Sequence, residues 1–173
     1  WTTHMRFEKS LLEDQVWQDA KASGCKYLHF GYESGNERVL KLMDKATTTE
    51  IMTKHLKYTA EAGIWNHCMG FFGFPGETRE EAWSSVEFLE QNKDYVHSLG
   101  FGTFDLGRHN PVAKHPEKFG VTAYKNPEWD LALDYYFTVK QGLSIEEAER
   151  VFEEFERNHN PGWDLRLFIR EYI

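Results

Sequence analysis

Short apolar runs recur along this chain, each followed by a turn or capping signal and then by apolar residues at helical spacing, and this alternation narrows the possible folds more than any other feature. Thr2 to Phe7 offers β-branched and bulky residues without a breaker, as a strand requires. Ser10-Leu-Leu-Glu13 has the pattern of a capping box, with Leu12, Val16 and Ala20 at four-residue spacing and a stop at Gly24. Lys26 to Gly31 is a second apolar run, closed by the turn Gly31-Tyr-Glu-Ser-Gly35. Asn36 to Lys45 reads as a helix through Val39, Leu40 and Met43, and Thr47-Thr-Thr-Glu50 caps another that ends at Gly63. Ile64 to Phe74 is the third strand, running into Gly73-Phe-Pro-Gly-Glu-Thr78. Thr78 and Glu81 form the next capping pair, and Leu99 to Leu106 is the fourth strand. Strand–helix alternation implies a parallel sheet covered by helices, with ligands at the carboxyl ends of the strands. The turns bearing Glu33 and Gly76 fall at that edge.

After Leu106 the pattern breaks. Pro111, Pro116, Gly120 and Pro127 punctuate residues 107–127, which reads as a loop or lid. Glu128 to Lys140, Ser144 to Arg157 and Trp163 to Tyr172 read as helices, so residues 128–173 form a helical extension. Tyr135, Tyr136 and Phe137 are read as its packing core rather than as a substrate groove. With 40% apolar and 16% aromatic residues the chain buries a sizeable core, and its 173 residues suit one domain or one lobe of something larger. The net charge of -8 repels phosphate backbones, which argues against nucleic acid as a partner. No apolar run is long enough to span a membrane. Cys25 and Cys68 lie far apart and read as buried reduced thiols, consistent with a cytoplasmic protein. The opening at Trp1, without an initiator methionine, is expected of a segment of a longer polypeptide.

Glu33 is a carboxylate on a glycine-flanked turn at a strand end, where it can accept hydrogen bonds from hydroxyls or an ammonium group. Spacing leaves two roles open for it, ligand contact or capping of the following helix. The eight histidines include no His-x-x-x-His pair, so metal binding by histidine is not expected. His29 and His67, on apolar strands, read as core residues. The glycine turn before Thr78 offers free amides that suit a phosphate, yet it lacks a Gly-Lys-Ser/Thr ending.

Taken together, Ala22-Ser-Gly-Cys-Lys-Tyr-Leu-His-Phe-Gly-Tyr-Glu-Ser-Gly35, Val39-Leu40 through Lys45, Ala62-Gly63-Ile64 and Gly73-Phe-Pro-Gly-Glu-Thr78 resemble the radical S-adenosylmethionine enzymes. They resemble especially the branch whose longer members carry an N-terminal cobalamin-binding domain. The resemblance implies an α/β fold, part of an open (β/α)6 barrel formed by residues 1–106, binding S-adenosylmethionine and a [4Fe-4S] cluster at the carboxyl ends of its strands. It implies that Glu33 and Ser34 contact the amino and ribose parts of the cofactor and Lys45 its carboxylate. It further implies that the strand with Phe72 and Gly73 flanks the adenine, and Arg6, at the end of the first strand, is a further candidate for the same site. Lys45 as a solvated helix cation and Arg6 as the partner of a barrel carboxylate remain alternatives.

One departure from the family pattern bears on activity. The family holds its cluster with a cysteine triplet, and three thiolates cannot come from two cysteines. The chain alone is therefore expected to be inactive, its cluster ligands lying upstream in the same polypeptide. Cobalamin is a possible second cofactor, and the expected substrate is a small molecule. Arg108 and His109 either contact an acidic substrate or face solvent. A non-catalytic binding or assembly module that retains half of the fold is the competing reading.

Overall fold

The computed structural model describes residues 1–124 and 133–159. Four strands, β1 (Thr2–Met5), β2 (Tyr27–Glu33), β3 (Trp65–Phe72) and β4 (Ser98–Thr103), form one sheet in chain order. All three pairings are parallel. Between them run α1 (Asp14–Ala22), α2 (Glu37–Leu42), α3 (Thr49–Glu61) and α4 (Arg79–Gln91). Because parallel strands need crossover connections, the helices gather on one face of the sheet and bury it. Leu28, Phe30, Tyr32, Cys68, Phe72 and Leu99 are buried there in a single core with Trp17, Leu56 and Leu89 from the helices.

Local sequence explains most helix starts. Asn36 caps α2 by accepting from the amides of Arg38 and Val39, Thr48 caps α3, and Thr78 with Glu81 closes a reciprocal capping box on α4. The box expected at Ser10 and Glu13 does not form. A short 3-10 turn spans Lys9–Leu11, and α1 begins at Asp14 behind a Glu13 that makes no side-chain cap bond. Tertiary contacts override the local signal here. Phe7 stacks on Phe30 with ring centroids 4.5 Å apart, and His55 bonds the Glu8 carbonyl at 2.9 Å, which together fix the path of the chain.

Beyond β4 the loop expected over 107–127 carries structure. It contains α5 (Pro111–Lys114), a 3-10 turn at Pro116–Phe119, and β5 (Val121–Tyr124). β5 pairs antiparallel with β6 (Tyr136–Val139), so the helix expected over Glu128 to Lys140 is a strand where it is described. Four consecutive aromatic and β-branched residues favour an extended chain, and their alternating burial matches one covered face. Residues 125–132 lie outside the described residues, as does the helix expected at Trp163 to Tyr172. A second core of Val39, Phe74, Phe104, Leu106, Val112, Val121 and Phe137 binds this hairpin to the carboxyl edge of the sheet. The extension then forms α6 (Ile145–His159), started by the Ser144–Glu147 box. Through Ala148, Val151 and Phe155 this helix joins the main core.

Candidate functional site

Register places Arg6, Glu33, Gly73 and Asp105 along one edge of the sheet, just at or beyond the carboxyl ends of β1 to β4. At the end of β2 the register shifts between Gly31 and Glu33, and Glu33 itself has a left-handed backbone, φ 63°. For a residue with a Cβ this conformation is strained, and such strain gathers at ligand sites. It swings the carboxylate over Gly31, where an added Cβ would stand 3.0 Å from Glu33 Oε1. A glycine at 31 is thus what gives the carboxylate its room.

Lys45 reaches the same point from the end of α2. Asp44 has φ 56°, its amide bonds the Lys41 carbonyl at 3.1 Å, and the Lys45 amide bonds the Leu40 carbonyl at 2.9 Å. This is the Schellman ending of a helix, with aspartate in the left-handed position that glycine usually takes. The reversal brings Lys45 Nζ to 2.8 Å from Glu33 Oε1. Both side chains stay partly exposed, 38% and 22%. Glu33 does not cap α2, since Asn36 does so.

The remaining expected contacts divide. Arg6 is exposed one residue past β1. Ser34 is fully buried, with its hydroxyl 3.0 Å from Ser85 Oγ and accepting from the Asn36 amide at 3.1 Å. In this structure it holds the turn against α4 instead of facing the edge, because the left-handed residue before it turns the chain back toward the helices. Phe72 also points away from the edge, meeting Phe101 at a tilt and Phe155 edge-on, with ring centroids 5.2 and 5.7 Å away. Strand alternation puts its neighbour Phe71 on the other face. Gly73, φ 86°, packs so closely on α6 that an added Cβ would lie 2.5 Å from Ala148 Cβ. Arg108 and His109 follow the bridge at Gly107, with the Arg108 amide bonded to the Leu133 carbonyl at 2.9 Å.

Sequence reasoning gave no separate role to Glu77, which is completely buried. Its Oε2 accepts the Gly73 amide at 2.6 Å. Burial pushes its pKa up to about 7, against the lowering effect of the backbone amides at Gly73 and Phe74. This carboxylate occupies the amides that a phosphate would need, which removes the phosphate reading of the turn. The signal available beforehand was an acid between a Pro-Gly turn and a capped helix. On the sheet face opposite the helices, His4, His29, His67 and Ser98 stand in register across all four strands. His4 stacks on His29 at 4.6 Å, His29 meets His67 edge-on at 5.3 Å, and His67 Nδ1 lies 2.8 Å from Ser98 Oγ. Burial lowers His29 and takes His67 to about 4, so these two imidazoles are neutral at neutral pH.

The parallel α/β sheet and its carboxyl edge can be set beside known proteins. Residues 2–89 match the Radical SAM superfamily, and the chain belongs to that family. It is 31% identical over 93 residues to an uncharacterized methyltransferase of Pyrococcus horikoshii, covering 53% of this chain and 19% of that protein. Over 176 residues it is 27% identical to a cytidylyl-2-hydroxyethylphosphonate methyltransferase of Streptomyces wedmorensis, covering 95% of this chain and 32% of the relative. Among solved structures it is similar to TsrM, a radical S-adenosylmethionine methyltransferase from Kitasatospora setae with cobalamin and [4Fe-4S] cluster bound. The TM-score is 0.59 at 18% identity, over 87% of this chain and 30% of that one. The likeness extends to the fold, a part of an open (β/α)6 barrel, here followed by a hairpin and helix α6, and the chain spans under a third of each of these proteins.

Proposed function

We propose that this chain supplies the S-adenosylmethionine-binding edge of a radical enzyme whose cluster ligands lie elsewhere in a longer polypeptide. The observation that carries the reading is the Glu33–Lys45 pair at 2.8 Å on the carboxyl edge of the sheet. The methionine part of the cofactor is a zwitterion, and it exchanges one protein ion pair for two, ammonium on Glu33 and carboxylate on Lys45. Arg6 adds a second cation at the same edge. When bound, S-adenosylmethionine supplies a sulfonium whose one-electron cleavage starts radical chemistry. This chain's part is to orient the cofactor and shield it from water.

Its residues do not fit the cluster. Cys25 and Cys68 are both fully buried among core side chains, and burial pushes both thiols up, away from the thiolate form a cluster needs. The chain by itself is accordingly inactive. In the intact cytoplasmic enzyme the substrate is a small molecule, with Arg108 and His109 as candidate contacts. The methyltransferase relatives favour group transfer as the outcome, with cobalamin as the second cofactor. In the intact protein Glu33→Gln should weaken S-adenosylmethionine binding by about 10- to 100-fold, the effect of losing a charged hydrogen-bond partner, with cluster content unchanged. Calorimetric titration reads this, and wild-type affinity in the variant would remove Glu33 from the site.

A further inference from the structure

Three large hydrophobic side chains are conspicuously exposed among the described residues, and two of them, Leu133 at 76% and Tyr136 at 58%, line one cavity of ≈ 390 Å³. Exposed apolar groups that gather at a concavity mark binding sites more often than scattered ones do. The cavity lies between the segment leaving β4, strand β6 and the start of α6, with Phe104, Tyr135, Phe137 and Ile145 in its walls. Its volume is in the range of small-molecule sites.

Charge gives the ligand its sign. Asp105, Asp134 and Glu149 also line the cavity, all three are exposed, and among the described residues no lysine, arginine or histidine lines it. Elsewhere Glu33, Glu50, Glu81 and Glu154 each hold a lysine or arginine. Among the described residues these three carboxylates have no such partner. Nor do any three His, Cys, Asp or Glu side chains of the described residues converge to hold a metal ion. The carboxylates therefore act as a field over an aromatic wall, and aromatic faces attract cations as well. We propose that this cavity binds a small organic ammonium ion carrying an apolar body. The cavity includes neither Glu33 nor Lys45, although Asp105 lies at the same edge of the sheet, so it stands or falls apart from the cofactor reading.

Phenethylammonium titrated into the full polypeptide at low salt should bind saturably, with a dissociation constant of about a millimolar or tighter for so small a ligand. Its neutral analogue 2-phenylethanol should bind more weakly, and anionic 3-phenylpropanoate should not bind. Asp105→Asn with Glu149→Gln should weaken phenethylammonium about fivefold, the scale of two exposed charges, while Glu50→Gln with Glu61→Gln leaves it unchanged. Both pairs are exposed, so circular dichroism should show intact folds. Absence of saturable binding, equal binding of the propanoate, or equal loss in the remote pair would overturn the proposal.

Discussion

Glu77 shows how far burial alone can move a side chain's chemistry. Its Oε1 meets no hydrogen-bond partner among the described residues, while Oε2 holds the Gly73 amide. A carboxyl whose folded pKa is raised to about 7 keeps a proton that the unfolded chain has released. Its contribution to stability is complete below the unfolded value near 4.5 and is lost as pH rises through about 7. His67 acts in the opposite sense. With its pKa lowered from 6.5 to about 4, its contribution is complete above 6.5 and is lost as pH falls toward 4. The two slopes oppose each other through the range they share. In Glu77→Gln only the histidine slope survives, so the variant should gain stability relative to wild type between about pH 4.5 and 8, by up to about 3 kcal/mol. Denaturant melts across that range check it, and a difference independent of pH would mean that Glu77 is already ionised throughout.

At the scale of elements, the turn from Gly73 to Thr78 joins β3, α4 and α6. Gly73 and Gly76 both have positive φ, 86° and 89°, but their surroundings differ. An added Cβ at 76 has nothing nearer than Leu42 at 3.6 Å, whereas one at 73 meets Ala148 at 2.5 Å. Gly76→Ala should therefore cost about 1–2 kcal/mol from backbone strain alone. Gly73→Ala should cost more, and Ala148→Gly in the same chain should recover the excess. Additive losses in the double variant would show that the close approach is not what destabilises. This turn was legible in the sequence because glycine, proline and a capping pair each act over a few residues. Glu33 and Lys45 were legible for the same reason, one at a strand end and one just past a helix. Ser34 and Phe72 were misplaced because the faces they occupy depend on strand alternation and on the left-handed residue at 33, which no local pattern announces. Strand β6 was missed because four residues are too few to distinguish a period of two from one of 3.6.

For the whole molecule, the two buried cysteines are fewer than the three thiolates that a cluster takes. After anaerobic reconstitution the intact protein should carry iron near the four-per-cluster level and this chain none. Iron in neither would leave a binding or assembly module as the better description, and iron in this chain would contradict the ligand argument. No described helix is long and apolar enough to cross a membrane. The path of α6 has a consequence for where the molecule may be divided. Leu143 donates its amide to the Glu77 carbonyl at 2.8 Å, Arg79 bonds Glu154 at 2.6 Å, and Phe155 closes over Phe72 and Phe101. The extension is therefore a shutter packed against β3, β4 and α4, holding the Gly73–Thr78 turn in place. An expression boundary drawn at the end of the last parallel strand would strip it away, leave the Phe72 and Phe101 rings open to water, and yield an aggregating half-molecule rather than a trimmed domain.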